Sequence, residues 1–259
     1  MITQTLQADE ARSNRVPDVT PDFWIIKLMA VTVGETAADF LALNLGLGLQ
    51  TTTYLMTAIL IGVLALQFAQ KRYVPWAYWS AVVMVSVVGT ILTDNLIDTF
   101  GVPLETTTIA CTVILAIIFA AWYASERTLS IHTVITTRRE VFYWLAVLGT
   151  FALGTAAGDY VSEALGVGYL TTGIVFGAVI AVIAIGHFAF KMNAILAFWL
   201  AYIFTRPLGA SLGDLLSQPT DYGGMGFGTT TTSLMFLAVI ASIVVYMTVM
   251  RRSGSGVRA

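Results

Sequence analysis

Four aspartates, Asp39, Asp94, Asp159 and Asp214, each stand fifteen residues after a tryptophan and five after a glycine. The tryptophans are Trp24, Trp79, Trp144 and Trp199, each preceded by an aromatic residue (Phe23, Tyr78, Tyr143, Phe198), and the glycines are Gly34, Gly89, Gly154 and Gly209. Every aspartate lies in sequence that is otherwise apolar, where an ionised side chain is costly and marks a functional-site hypothesis by default. Four carboxylates brought into one shell repel each other, so they must be protonated, paired or bound to a cation. Hard cations such as Mg²⁺ and Mn²⁺ take oxygen ligands of this kind. Glu35, directly after Gly34, adds a fifth carboxylate at nearly the same depth.

A pattern repeated at this interval is an internal repeat, and it governs the reading of the whole chain. Paired threonines follow each aspartate by about a dozen residues: Thr51-Thr52, Thr106-Thr107, Thr171-Thr172 and, three residues late, Thr229-Thr230. The Trp-to-Trp interval is longest in the middle, which predicts two halves of two repeats joined by a longer loop.

The elements that must carry these residues are helices. Of the 259 residues 57% are hydrophobic and only 11% charged, with a mean hydropathy of +0.82. A soluble domain carries about 25% charged residues, so the composition predicts a polytopic, all-α membrane protein. Apolar stretches long enough to cross the hydrocarbon layer fall near 23–43, 53–70, 76–97, 107–124, 141–161, 172–190, 194–216 and 230–250. The expected organisation is a tail over 1–22, one eight-helix domain over 23–250 and a tail over 251–259. The repeats fall at about 23–70, 76–124, 141–190 and 194–250, and are parallel, as two pseudo-symmetric halves. Residues 1–22 lack an apolar core and a small-residue cleavage site, so they read as a tail and not a signal peptide. The central loop, around Ser125 to Glu140, has room for a small interfacial helix, and Thr137 with Glu140 has capping-box spacing at the start of helix five.

Basic residues orient the array. Arg12 and Arg15 precede the first span, and Lys71-Arg72, Arg127, Arg138-Arg139, Lys191 and Arg251-Arg252 all follow even ones. The opposite loops hold Asp98, Glu105, Glu163 and Asp221, with no Lys or Arg. The positive-inside rule then places both termini in the cytoplasm. If the tryptophans mark the cytoplasmic interface, the aspartates lie about 22 Å beyond it, in the outer third of the membrane.

Each motif glycine has a small residue four positions on: Gly34/Ala38, Gly89/Thr93, Gly154/Gly158 and Gly209/Gly213. This spacing lets helix backbones approach closely in lipid, so the odd helices are expected at the centre with the even ones outside. Lys27 is expected to snorkel to the interface. Arg206 lies too deep for that, beside helix-breaking Pro207, and Glu35 is its nearest unmatched anion by depth. The pair reads equally as a structural ion pair or as a gate or counter-ion. The plain structural alternative for each aspartate is a hydrogen bond to a neighbouring loop, the threonine pairs included, since threonine is a natural N-cap.

Cys111 is the only cysteine, which excludes an intramolecular disulfide and a cysteine-based metal cluster. His132 and His187 have no second ligand at metal spacing. A phosphate-binding loop, a zinc-hydrolase motif and a nucleophile motif are all missing, so no catalytic residue, enzyme activity, organic cofactor or nucleic-acid partner is expected.

The segments Val33 to Asp39, Gly89 to Asn95, Leu153 to Asp159 and Arg206 to Asp214, within four tandem two-helix units, resemble a bacterial membrane-protein family catalogued as a repeat of unknown function. The resemblance implies the eight-helix layout and an inner-membrane location, and no activity. From the residues, the expected function is transport or channelling of a small cation, a divalent metal such as Mn²⁺ or Mg²⁺. Asp39, Asp94, Asp159, Asp214 and Glu35 would form the site, with protons as the natural counter-ion and the lipid bilayer as partner. A homo-oligomer is compatible with this. The alternatives are a scaffold or sensor whose aspartates are structural, and a transporter of a small polar organic solute held by Arg206 and the threonines.

Overall fold

The computed structural model describes residues 13–256, with side chains to 249. Eight long helices and no strand occur among the described residues: α1 Pro21–Asp39, α2 Leu49–Phe68, α3 Pro75–Asp94, α4 Leu104–Glu126, α5 Thr137–Asp159, α6 Tyr169–Phe188, α7 Ala194–Ser217 and α8 Thr229–Gly256. Seven are long and apolar enough to cross a membrane. The first falls outside that group because Asp22, Lys27, Glu35 and Asp39 crowd its nineteen residues. The chain is thus a helical, repeat-built protein with the spans of a multi-pass membrane protein.

Local chemistry sets the starts of the odd helices. Thr20 caps α1 by accepting from the Phe23 N–H at 3.3 Å, with Pro21 in the first turn, where its missing N–H costs nothing. Pro75 does the same for α3, and the Asn193 side chain accepts from Ile195 and Leu196 to start α7. At α5 the cap is Thr136, one residue before the position expected, and it accepts from Arg139. Glu140 is therefore free of the capping box. It is buried and accepts from Arg15 and from Gln67. The central loop carries a single 3₁₀ turn, Ile131–Thr133, in place of an interfacial helix.

The first three even helices begin before their threonine pairs, not after them, and α8 begins at Thr229 itself. Thr52, Thr107, Thr172 and Thr232 are fully buried, and their N–H groups bond the carbonyls of Gly48, Pro103, Gly168 and Gly228. In the fourth repeat the equivalent threonine is thus Thr232, two residues beyond the pair singled out from sequence. Gly48 and Gly168 have φ of +73° and +76°, a backbone that side chains resist, which is why glycine turns the chain there.

The odd helices pack side by side in the order α1, α3, α5, α7 and back to α1. Each even helix packs on the odd helix of the next repeat: α2 on α3, α4 on α5, α6 on α7, and α8 back on α1. The odd helices are accordingly buried and the even ones largely exposed, as the small-residue spacing predicts. Residues 13–16 lie across the end where the odd helices begin. The Asn14 side chain donates to Ile131 and Val16 carbonyls and accepts from the Val134 N–H, its own carbonyl accepts from Tyr73, and Val16 joins the core.

Candidate functional site

The motif glycines set how closely the central helices meet. A Cβ at Gly34 would strike Ser86, at Gly89 Phe151, at Gly154 Arg206 and at Gly209 Val31. In every case the obstacle stands three residues before the next motif glycine, so one contact is repeated around the four odd helices. Gly89→Ala would place its Cβ 2.8 Å from the Phe151 Cβ. Its expected cost is about 1–3 kcal/mol, the usual cost of overpacking. Gly62→Ala, on α2 with nothing within 4 Å, is expected to change stability by less than about 0.5 kcal/mol. Thermal unfolding of the two purified variants beside the parent checks both.

This packing aligns rows of residues four apart. On α1 the row is Phe23, Lys27, Val31, Glu35, Asp39; on α3, Tyr78, Val82, Ser86, Thr90, Asp94; on α5, Tyr143, Val147, Phe151, Thr155, Asp159; on α7, Phe198, Tyr202, Arg206, Ala210, Asp214. Every position short of the aspartates is buried. A four-residue row drifts about 40° per step around a helix, so it keeps to an inner face only where helices cross at an angle.

Read from the basic end, the first layer is aromatic. The Tyr78 and Tyr143 hydroxyls are 2.5 Å apart, and the Phe23 and Phe198 rings are 6.0 Å apart. Of the tryptophans beside this layer, Trp79, Trp144 and Trp199 are buried in the core and Trp24 is partly buried against it. Trp79 donates to the Tyr73 hydroxyl at 3.1 Å and Trp199 to the Leu129 carbonyl at 2.9 Å.

Lys27 occupies the second layer and does not snorkel. It is fully buried, with Nζ donating to the Tyr202 carbonyl at 2.5 Å. The ammonium lies 4.1 Å from the Tyr202 ring centroid and 5.6 Å from that of Phe151. Four residues after Phe23, it shares that residue's inward face, and the two ring faces supply the attraction that water would otherwise provide. Lys27 joins no ion pair among the described residues.

Arg206 ties the third layer to the fourth. Its Nη2 donates to Glu35 on α1 at 2.6 Å, to Thr155 on α5 at 2.6 Å and to Thr90 on α3. One nitrogen on α7 thus reaches all three other central helices. Glu35, Thr90 and Thr155 each follow their motif glycine, so the partners come from equivalent positions. Nε and Nη1 make no hydrogen bond, and the guanidinium carbon lies 6.0 Å from the Phe151 ring.

Beyond this network the bundle opens into a cavity of about 160 Å³. Asp39, Asp94, Asp159 and Asp214 all line it, with Glu35 among the lining residues. Asp98, Glu163, Gln218 and Tyr169 line it too, and these were missed as site residues from sequence. Asp98, Glu163 and Gln218 each stand four residues past a motif aspartate, so the row continues. After three of the aspartates the helix widens into a π turn, Phe40–Asn44, Asn95–Thr99 and Tyr160–Ala164, whereas α7 runs on unbroken to Ser217. Such turns re-aim side chains and are frequent at functional sites.

The aspartates do not bond the threonine pairs. Thr52 and Thr172 turn their hydroxyls back to the Gly48 and Gly168 carbonyls, and Thr229 donates to Asn44. Asp39 accepts from Gln218 at 3.5 Å. The side chains of Asp94, Asp159 and Asp214 have neither a hydrogen bond nor an ion pair among the described residues. No three His, Cys, Asp or Glu side chains among the described residues are placed to hold a metal ion directly.

Among curated proteins and among solved structures, nothing matches the chain. A family model, the Repeat of Unknown Function (DUF347), matches it four times in tandem, over residues 23–73, 77–128, 142–193 and 197–253. These matches take in all eight helices, and the chain belongs to that family.

Proposed function

We propose that this protein carries a small cation across a bacterial inner membrane along the axis of its four odd helices, with Mg²⁺ or Mn²⁺ as the cargo. The observation that carries the reading is the wall of the cavity: among the described residues, three motif aspartates have no hydrogen-bonding or ionic partner and the fourth is held only by Gln218. Unpaired carboxylates grouped in one wall call for a counter-charge, and a cation or a proton supplies it. Exchange of one for the other is a simple coupling scheme. The aromatic layer, Lys27 and the Arg206–Glu35 network close the axis below the cavity, so this is a form accessible from one side. Arg206 stands where a cation must pass, and release of Glu35 from it is the step that would gate passage.

All eight helices span in this reading, α1 included, because Lys27, Glu35 and Asp39 face the axis and not lipid, while Asp22 lies in its first turn at the helix end. The four repeats then share one orientation and form two halves. The basic loops lie at the aromatic end, which makes that end and both termini cytoplasmic and turns the acidic cavity outward. A reporter fused after Arg252 is expected to be cytoplasmic and one inserted at Gly223 external. The opposite pattern would reverse the direction the cavity faces.

A scaffold or sensor draws on the completeness of the closed layers, which need no passage to be stable. Cation binding separates the two. Titration of purified protein with Mg²⁺ and Mn²⁺, with uptake into liposomes, is expected to show saturable binding and flux. A protein that binds neither ion is a scaffold.

A further inference from the structure

The acidic cavity is built for an ion that keeps its water. A bare divalent ion needs several oxygens converging on one point, and Ca²⁺ takes six to eight of them. Here the carboxylates stand in two tiers around a wall, and no three are placed to hold a metal directly. The one at the floor, Glu35, is already engaged by Arg206 at 2.6 Å. Yet the wall does point to a ligand. Asp214 is only 9% exposed, lines the cavity, and has no hydrogen-bonding or ionic partner for its side chain among the described residues. The space of about 160 Å³ corresponds to about five waters at about 30 Å³ each. That is room for an ion together with water, and far more than a bare ion fills.

Resting on the cation reading above, we infer that the cavity receives its ion with the inner hydration shell intact, which selects strongly hydrated Mg²⁺ over Ca²⁺. Mg²⁺ dehydrates reluctantly and commonly keeps several waters when proteins bind it. Its bound waters are strong donors, and the carboxylates, Asp94, Asp159 and Asp214 foremost, are acceptors without another partner among the described residues. The wall reads the size and charge of the hydrated ion.

Hexaamminecobalt(III) tests this, because its ammine ligands do not exchange and it can bind only through its outer surface. The expected result is competition between hexaamminecobalt(III) and Mg²⁺ for the purified full-length protein, with Ca²⁺ the weaker competitor. Asp94→Asn and Asp214→Asn are each expected to weaken both ions together, Mg²⁺ by roughly tenfold, the Coulomb loss of one unit charge about 7 Å from a divalent ion in a water-like dielectric, and the trivalent complex by somewhat more. Glu105→Gln, outside the cavity lining, is expected to change neither. Mg²⁺ binding that hexaamminecobalt(III) fails to displace, or a preference for Ca²⁺, would overturn the hydrated-ion inference and leave the cation site standing. Binding of none of these ions would overturn the cation reading itself, and the inference with it.

Discussion

Arg206→Met is expected to destabilise the folded protein by about 3–5 kcal/mol, the usual consequence of stranding one member of a buried ion pair. The arginine is fully buried, and its removal leaves Glu35 facing an apolar replacement. Thr90 and Thr155 lose a donor as well, so three central helices are affected at one level. The double substitution Arg206→Met with Glu35→Met removes the stranded charge, and buried pairs replaced by apolar residues often lose nothing. It is therefore expected to be more stable than Arg206→Met alone in thermal or denaturant unfolding. A double variant no better folded than the single one would mean that the arginine's contribution lies in packing against Gly154 and Phe151, and not in the pair. If the network also gates transport, the double variant folds but leaks or blocks, which a flux assay on the same preparation separates from stability.

The fold was legible because the repeat imposes it. Four copies of one spacing, with small residues four apart, leave few ways to arrange eight apolar helices, and the glycine contacts follow the motif residue by residue. The pairing of Arg206 with Glu35 was legible for a related reason: depth in an apolar layer leaves a charge few partners. Lys27 was misjudged because a lysine near a helix end can reach water along its stem. The four-residue row that begins at Phe23 settles the matter, since a residue one turn past a buried aromatic shares its inward face. Trp79, Trp144 and Trp199 are buried by close helix packing, which an interfacial preference alone does not foretell. Asp98 and Glu163 read as loop residues because helical periodicity stops being readable where a π turn intervenes. A sequence shows that an aspartate is present, but not that the next turn of helix is widened to bring a second acid into the same cavity. Thr232 was missed because the fourth repeat's longer loop shifts the count.

Neutralising the motif aspartates one at a time is the decisive experiment on function. Asp39→Asn, Asp94→Asn, Asp159→Asn and Asp214→Asn each keep the side chain's shape and a hydrogen-bonding capacity while removing one negative charge. All four line one cavity, so a shared cation predicts that each substitution weakens divalent-ion binding or flux, by roughly tenfold in affinity for a charge about 7 Å from the ion. Folding should be preserved or improved, because fewer like charges then share the wall. Asp98→Asn is expected to behave as the motif aspartates do, since it lines the same cavity. Glu105→Gln is the suitable control. The structural alternative predicts the reverse: lost yield or lower melting temperature, with unchanged ion response in the surviving protein. That alternative has little to act through here, because Asp94, Asp159 and Asp214 hold no hydrogen-bonding or ionic partner among the described residues whose loss could destabilise the fold. Normal Mg²⁺ and Mn²⁺ handling in all four variants would falsify the cation site and leave the scaffold as the function. A loss confined to Asp39→Asn, the one aspartate that touches Gln218, would point instead to a local strut between α1 and the end of α7.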